Sequence, residues 1–188
     1  GKRSSGEFIP NFIGKKDQSL HINNCKIENN TFTQAGTSTS IYLPFVGGAR
    51  NDDGKGAIYV DGKKIVAEGV TFDEQANTYY VSTAAGLAWV AGVVKATTPY
   101  TPTIFDEATV ELTNNIDLNN EEWIPIGDDR SQRTEWHGVF DGKGYTVFNV
   151  KITKKTDRDD ENKSSYGLFG NVKGTVKNLT VENVSISG

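Results

Sequence analysis

The sequence is poor in the residues on which several common functional sites depend. Its 188 residues include no Met, one Cys and two His. Cys25 has no partner for an intrachain disulfide, and we expect it to be a buried small apolar side chain rather than a reactive thiol. His21 and His137 fall in different repeats, and a histidine-based zinc site needs more nitrogen or sulfur ligands than they provide. The absence of Met indicates a processed or excised chain.

Long apolar runs and an excess of positive charge are also missing. No stretch approaches the roughly 18 to 20 apolar residues that span a bilayer, and no charged-then-apolar leader stands at the amino end. The formal net charge is -4. Because phosphate recognition needs clustered Lys and Arg, this balance argues against a nucleic-acid partner. We therefore expect no nucleic-acid partner and no membrane span in this chain.

The chain is rich in glycine, with 20 residues, and in short segments that alternate apolar and polar side chains. The clearest segment, residues 166–187, opens with Gly167-Leu168-Phe169-Gly170. Its alternating apolar residues are Val176, Leu179, Val181, Val184 and Ile186. Alternation with a period of two is typical of a strand with one buried face. One such strand buries too little apolar surface by itself, so it needs neighbours of the same shape.

Two other segments repeat this pattern. Residues 140–152 align with the clearest segment so that Val147 corresponds to Val176 and Asn149 to Asn178, and residues 24–32 align with 178–186 without a gap. Repeats with a period in the twenties predict supersecondary units that stack on a continuous core. Asn at a fixed place in each unit can hydrogen-bond its own turn, adopt left-handed backbone angles and pair with an equivalent Asn above or below.

The motif Gly167-Leu168-Phe169-Gly170, followed by Asn178-Leu179, resembles the GLUG-motif proteins, which are surface-exposed, adhesin-like proteins of bacteria, many of them gut Bacteroidetes. The resemblance extends upstream through residues 112–118, 123–127 and 138–147. It covers about residues 78–188 and, more weakly, 8–48. It implies a right-handed parallel β-helix and an extracellular or cell-surface location in a secreted or lipid-anchored parent protein.

We therefore predict an all-β fold, a right-handed parallel β-helix or β-solenoid, with one short capping α-helix at about residues 83–96. Asp61-Gly62 lies between two β-rich runs and predicts a hairpin from Ala57 to Val66. Residues 1–75 are predicted to form closing rungs of one unit plus this hairpin. Residues 76–188 are predicted to form a GLUG-like unit, in which the helix is followed by fresh rungs.

This order places rungs both before and after the helix. We therefore expect the open end near Gly188 to stack on the rung at residues 12–32, either within one chain or head to tail between chains.

Two acidic loops are the candidate cation sites. Asn51-Asp52-Asp53-Gly54 and residues 157–161 contain oxygen ligands of the kind that calcium prefers, but neither has the spacing of a recognised calcium loop. A solvated loop is the simpler interpretation. The sequence therefore assigns no metal-binding or cofactor-binding residue and predicts no cofactor.

A polysaccharide-active β-helix enzyme would carry its chemistry in a side groove, and Asp117, Asp141, Glu182 and Lys151 are the residues to inspect there. A glycosidase needs two carboxyl groups about 5 to 10 Å apart, one of them with a raised pKa. Asp141 precedes Gly142, and this pair is explained more simply by a tight turn in which Asp hydrogen-bonds its own backbone. The sequence therefore assigns no catalytic residue, and we expect the chain not to be an enzyme.

Aromatic residues are the remaining candidates, because exposed rings could form a platform for a sugar or a peptide. The alternative is that most of them pack in the core. The residues concerned are Trp89, Trp123, Trp136, Tyr42, Tyr79, Tyr80, Tyr100, Tyr145 and Tyr166. We expect a non-catalytic, adhesin-like module of a bacterial cell surface that contacts host or dietary glycans or a host surface protein. The alternatives are a passive stalk segment and the enzyme considered above.

Overall fold

The computed structural model describes residues 19–24, 58–95, 103–127, 135–153 and 166–187. Several of the predictions fall outside these ranges, namely those for Cys25, Tyr42, Tyr100, the rung residues 12–18 and 25–32, and the loops 51–54 and 157–161.

Eleven strands and one helix are present in the described ranges. In chain order they are β1 (Leu20–Ile22), β2 (Ile58–Val60), β3 (Lys63–Ala67), β4 (Val70–Asp73), β5 (Thr78–Val81), α1 (Ala84–Lys95), β6 (Thr109–Leu112), β7 (Ile116–Asp117), β8 (Val139–Asp141), β9 (Thr146–Thr153), β10 (Thr175–Lys177) and β11 (Thr180–Ser187).

The strands form two sheets that share one stack. The larger sheet has the order β1-β2-β3-β4-β5-β6-β8-β10, and the smaller sheet has the order β11-β9-β7. Strands β5, β6, β8 and β10 are parallel, as are all three strands of the smaller sheet. Successive turns of the chain add a strand to each sheet, which gives about three turns of β-solenoid. The prediction of an all-β parallel β-helix is therefore confirmed.

An antiparallel meander joins this stack to β1 and β2, which are parallel to each other. Strands β2, β3, β4 and β5 pair antiparallel in sequence. The predicted hairpin is the first of these pairs, and its turn residues Asp61 and Gly62 have φ angles of 48° and 80°. Two consecutive left-handed residues match the twist of the flanking strands, which explains the preference for Asp-Gly at this turn.

The two predicted units meet in this meander. Strands β4 and β5 lie on either side of the predicted boundary at residues 75 and 76, and they pair along their whole length, from Val70 with Val81 to Asp73 with Thr78. The division into two units stays a prediction.

The helix α1 confirms the predicted helical segment within one residue at each end. Thr83 caps its amino end, since its Oγ1 accepts a hydrogen bond from the backbone N–H of Gly86 at 3.0 Å. Its buried residues are Gly86, Leu87, Val90, Ala91 and Val94. They belong to the same hydrophobic core as the strands, so tertiary packing offsets the low helix propensity of its two glycines.

Aromatic rings run through the centre of this core in a chain of contacts. Phe72 stacks on Tyr79 with ring centroids 4.3 Å apart, and Tyr79 meets the edge of Phe105 at 5.1 Å. Phe105 then contacts Trp136 at 5.7 Å, and Trp136 contacts Phe140 at 6.2 Å. Because these residues come from the meander, the loop after α1 and the rungs, the aromatic chain ties the three parts into one core.

Left-handed asparagines set the corners of the rungs. Asn149 in β9 and Asn183 in β11 have φ angles of 58° and 52°, and Asn178 has 52°. Asn149 donates to Asp117 Oδ1 at 2.8 Å, and Asn183 donates to Asn149 Oδ1 at 3.3 Å. The predicted pairing of equivalent residues in neighbouring rungs is thus present as a ladder of three side chains.

The pairing of β9 with β11 corrects the predicted alignment of the repeats. Val147 pairs with Val181 rather than with Val176, and Val150 pairs with Val184. The alignment was wrong because the last rung has Asn at two corners, Asn178 and Asn183, and both are followed by an apolar residue. The spacing of apolar residues from an Asn therefore does not show which of these two corners is equivalent to Asn149.

The stack ends at β10 and β11, each of which is paired on one side within the described residues. Their core-side residues Val176, Val181, Val184 and Ile186 are exposed, with Ile186 at 52%. The only described part of the rung that was predicted to cover them, β1, lies at the opposite edge of the eight-stranded sheet. For these residues the within-chain version of the stacking prediction is wrong.

Head-to-tail contact between chains stays a prediction, but the sheet order restricts it. Three antiparallel steps separate β1 from β10, so the two edge strands run in opposite directions. A second copy with its core on the same side would therefore pair antiparallel through β1 and β10. It would not continue the parallel β-helix.

The two glycines of α1 give a matched test of this packing. A Cβ on Gly86 would lie 2.9 Å from the Gly69 carbonyl oxygen and 3.1 Å from that of Glu68, whereas a Cβ on Gly92 would meet nothing within 4 Å. Both substitutions remove the same glycine penalty. We expect Gly92→Ala to raise the free energy of unfolding by about 0.5 to 1 kcal/mol and Gly86→Ala to lower it. Denaturant unfolding of both variants measures the difference, and stabilisation by Gly86→Ala would contradict the close approach.

Candidate functional site

A row of polar side chains crosses the outer face of the eight-stranded sheet, opposite the core. Parallel pairing places Tyr80, Glu111, Asp141 and Lys177 in one row across β5, β6, β8 and β10. Their neighbours in sequence, among them Val110 and Phe140, are buried on the other side of the sheet. The alternation of each strand therefore sends these four polar side chains outward.

Asp141 is the most enclosed member of the row, with 6% of its surface exposed. Its Oδ1 accepts hydrogen bonds from the backbone N–H of Lys143 at 2.9 Å and from Asn178 Nδ2 at 3.0 Å, and its Oδ2 lies 3.5 Å from Lys177 Nζ. Burial raises the pKa of this carboxyl, but these three donors outweigh it, so the pKa lies below its ordinary value. Asp141 is therefore an ionised structural residue that holds a corner of the stack.

Glu111 and Tyr80 complete the middle of the row. Glu111 Oε1 lies 3.7 Å from Lys143 Nζ. Burial raises the pKa of the Tyr80 hydroxyl, and the carboxylates of Glu111 and Asp73 raise it further, against a smaller opposite effect of Lys143. Tyr80 thus keeps its proton at neutral pH and can donate a hydrogen bond.

A groove opens beside Tyr80, at the junction of the meander with the parallel stack. It has a volume of about 400 Å³, which falls within the usual range of small-molecule sites, about 300 to 1,000 Å³. Its lining residues are Val60, Lys63, Ile65, Ala67, Gly69, Val70, Thr71, Tyr80, Ser82 and Thr113. Lys63 Nζ lies over the Tyr80 ring, 4.7 Å from its centroid. We call this cavity the Tyr80 groove.

The four residues predicted to line a catalytic groove do not form one cluster, although Asp117 and Glu182 lie in one row of the three-stranded sheet, on either side of Phe148. Asp141 belongs to the eight-stranded sheet, whereas Asp117, Lys151 and Glu182 belong to the three-stranded sheet. Asp117 Oδ1 accepts hydrogen bonds from the backbone N–H of Asn119 and from Asn149 Nδ2, both at 2.8 Å. Both aspartates therefore serve turns and ladders, as the tight-turn interpretation of Asp141 predicts.

The two histidines lie in separate environments. His21 stacks on Tyr59 with ring centroids 4.6 Å apart. His137 Nε2 lies 3.3 Å from Glu135 Oε2, which also pairs with Lys173 Nζ at 3.0 Å. The Lys173 hydrogen bond is the main cause that holds the pKa of Glu135 below its ordinary value. In the part of the chain that the structure describes, no three His, Cys, Asp or Glu residues cluster as a metal site.

Most of the aromatic candidates lie in the core. Of the seven that fall within the described ranges, Tyr79, Trp123 and Trp136 are buried, Trp89, Tyr80 and Tyr166 are half-buried, and Tyr145 is exposed. The buried indole of Trp123 donates to the Leu168 carbonyl at 3.0 Å. These residues form no exposed aromatic platform. Sequence reasoning named Tyr80 but missed its neighbour Lys63, which stands out only as the first residue after the Asp-Gly turn.

Comparison with known proteins finds no significant match to this chain, whether among protein-family models, curated proteins or solved structures. The resemblance to GLUG-motif proteins therefore stays a prediction. No helix within the described ranges is both long and apolar enough to cross a membrane.

Asp141 gives a test with a defined pH dependence. A carboxyl whose folded pKa is depressed contributes stability above its unfolded pKa, and that contribution is lost as the pH falls through the folded pKa. Asp141→Asn should therefore be less stable than the parent at pH 7, by about 1 kcal/mol, and the difference should shrink as the pH falls below the ordinary value of 3.8. Denaturant unfolding from pH 7 to pH 2.5 measures it. Glu182→Gln, the same loss of charge at an exposed position, is the control, and its effect on stability at pH 7 should be the smaller of the two.

The asparagine ladder gives a second test, because backbone strain and hydrogen bonding can be separated at Asn149. Asn149→Gly keeps the left-handed backbone and loses the side-chain bonds, whereas Asn149→Ala loses the bonds and adds about 1 kcal/mol of strain. We expect thermal stability to fall from parent to Gly to Ala. Asn183→Gly, at the end of the ladder, removes a single bond and should have a smaller effect than Asn149→Gly. Equal stability of the Gly and Ala variants at position 149 would contradict the assignment.

Proposed function

We propose that this chain is a non-catalytic, adhesin-like β-solenoid module of a bacterial surface protein and that it contacts glycans or proteins through the outer face of the eight-stranded sheet. The observation that carries the proposal is the row of Tyr80, Glu111, Asp141 and Lys177, held in register by parallel strand pairing. A row fixed by backbone hydrogen bonds holds the Tyr80 hydroxyl and the charges of Glu111 and Lys177 at constant spacing. Such a surface needs little ordering when a partner binds.

We infer that the chain is non-catalytic from the contacts that the carboxylates of Glu111 and Asp141 make. Glu111 and Asp141 are direct neighbours in the row, which is the arrangement that a carboxylate pair requires. A glycosidase needs one of its two carboxyl groups protonated as the acid. Here the donors around Asp141 lower its pKa, and Glu111 Oε1 lies 3.7 Å from the Lys143 ammonium group, so each carboxylate faces a cation. The arrangement therefore favours binding over hydrolysis, and a β-helix polysaccharide-active enzyme is the weaker alternative.

A passive stalk is the second candidate, favoured by the burial of Tyr79, Trp123 and Trp136 in the core. A stalk needs only a stack that resists unfolding, and the aromatic chain and the asparagine ladder supply one. The extracellular or cell-surface location, in a secreted or lipid-anchored parent protein, belongs to the same proposal and is supported by the resemblance of the Gly167–Gly170 motif alone.

A binding screen decides between recognition and stalk. The purified chain is tested on a glycan array and on immobilised mucin, with and without calcium, and we expect saturable binding. Lys177→Gln on the outer face should weaken that binding at least about fivefold, as expected for loss of one charged contact. Lys151→Gln, an equal charge change on the three-stranded sheet, should leave it unchanged.

Two outcomes would contradict this proposal. Absence of binding to every glycan and to mucin would leave the stalk as the function. Equal loss of binding in the Lys177 and Lys151 variants would move the contact away from the outer face.

A further inference from the structure

Resting on the proposed function, we propose that the Tyr80 groove is a binding site for an acidic sugar, a pyranose ring that carries a carboxylate. The groove combines an apolar floor, one ammonium group, one aromatic ring and a set of hydroxyl groups. Each of these matches one part of such a ligand.

The floor of the groove is apolar. Ile65, Ala67 and Val70 line it and are buried, with Val70 at 1% exposure. Gly69 lies in the turn between β3 and β4 with a φ of 68°, and a Cβ there would come within 1.9 Å of the Thr83 hydroxyl oxygen. The Gly69 carbonyl accepts hydrogen bonds from the backbone N–H and the hydroxyl of Ser82, which tie this turn to the end of β5. The C–H face of a pyranose is apolar and suits such a floor.

The carboxylate is assigned to Lys63. Its ammonium lies over the Tyr80 ring, and within the described residues no carboxylate approaches it to salt-bridge distance. The two carboxylates that raise the pKa of Tyr80 have other partners: Glu111 pairs with Lys143, and Asp73 Oδ1 accepts the backbone N–H groups of Gln75 and Ala76. Among the described residues, Lys63 is therefore the charge in the groove that a ligand carboxylate would neutralise.

The sugar hydroxyls are assigned to the polar side chains of the groove. The hydroxyl of Ser82 donates to the Gly69 carbonyl at 3.2 Å, and that of Thr113 donates to the Val81 carbonyl at 3.3 Å. With their protons engaged, these two oxygens are acceptors for hydroxyl donors of a ligand. Tyr80 keeps its proton and supplies a donor, and Thr71 adds a further hydroxyl.

This set distinguishes an acidic sugar from an apolar carboxylate such as benzoate. An apolar carboxylate would satisfy the floor and Lys63 but would bury the hydroxyls of Thr71, Ser82 and Thr113 against carbon. Polar groups that lose water without gaining a partner oppose binding. A pyranose offers hydroxyls to these positions and a C–H face to the floor, so the groove favours it.

The experiment uses the full chain and three probes, D-glucuronate, D-glucose and benzoate, with binding followed by calorimetry and by ¹H–¹⁵N NMR shifts. We expect glucuronate to bind, to weaken as salt is added, and to shift the resonances of β3, β5 and the Gly69 turn. Lys63→Gln should weaken it about tenfold or more, as expected for a charge-assisted contact. The matched control is Lys64→Gln, an identical charge change on the opposite face of the same strand, which should stay within twofold of the parent.

Three results would overturn the acidic-sugar site: equal binding of glucose and glucuronate, tighter binding of benzoate than of glucuronate, or equal effects of the Lys63 and Lys64 variants. The proposed function is judged separately on the array. Array binding that survives Lys63→Gln would retain the function and reject this site, whereas glucuronate binding without array or mucin binding would retain the site and reject surface recognition.

Discussion

The parallel stacking of rungs on left-handed asparagine corners is the constraint on which the rest of the structure depends. Along β9 and β11 the inward side chains are Val147, Val150 and Ile152 above Val181, Val184 and Ile186, and the uneven step between the first two of each set falls at Asn149 and Asn183. A strict two-residue alternation would turn Val150 to the solvent. The left-handed residue turns the following apolar side chain back towards the core and bends the strand at the same point. Its side-chain amide also donates a hydrogen bond to a neighbouring rung. One Asn therefore sets the backbone angle, the register and the ladder.

Much of this architecture is readable from the sequence because period-two alternation and Asp-Gly turns are local signals. They correctly predict the β-solenoid, the hairpin at Asp61-Gly62 and the helix after Thr83. Strand register is not a local signal, because it depends on which of two similar asparagine corners in one rung stacks on a given corner of the neighbouring rung. Asn178 and Asn183 occupy different corners of one rung and look alike in sequence, and only the strand pairing in space separates them.

The candidate site was less predictable for the same reason. Lys63 lies in β3, Tyr80 in β5 and Thr113 directly after β6. The sheet order that joins them changes from antiparallel to parallel pairing at β5. Nothing local marks Lys63, which is one of two adjacent lysines. The carboxylates that sequence reasoning did single out, Asp117 and Asp141, attract attention because they sit at turns, and at those turns their oxygens are occupied by backbone and asparagine donors.

The position of the Tyr80 groove follows from the change of strand direction. A parallel β-helix stacks equivalent residues on one another, so its outer face is a set of straight rows with little depth. At β3 and β4 the register shifts between Ile65 and Ala67, and the carbonyl of Gly69 in the following turn accepts hydrogen bonds from the backbone N–H and the hydroxyl of Ser82. An irregularity of this kind bends the strand and re-aims its side chains, which opens a concave surface beside an otherwise even sheet. A solenoid that only extends another protein has no need of such a break. The break lies next to an aromatic ring and next to Lys63, which has no carboxylate partner among the described residues, and this placement favours recognition at the groove.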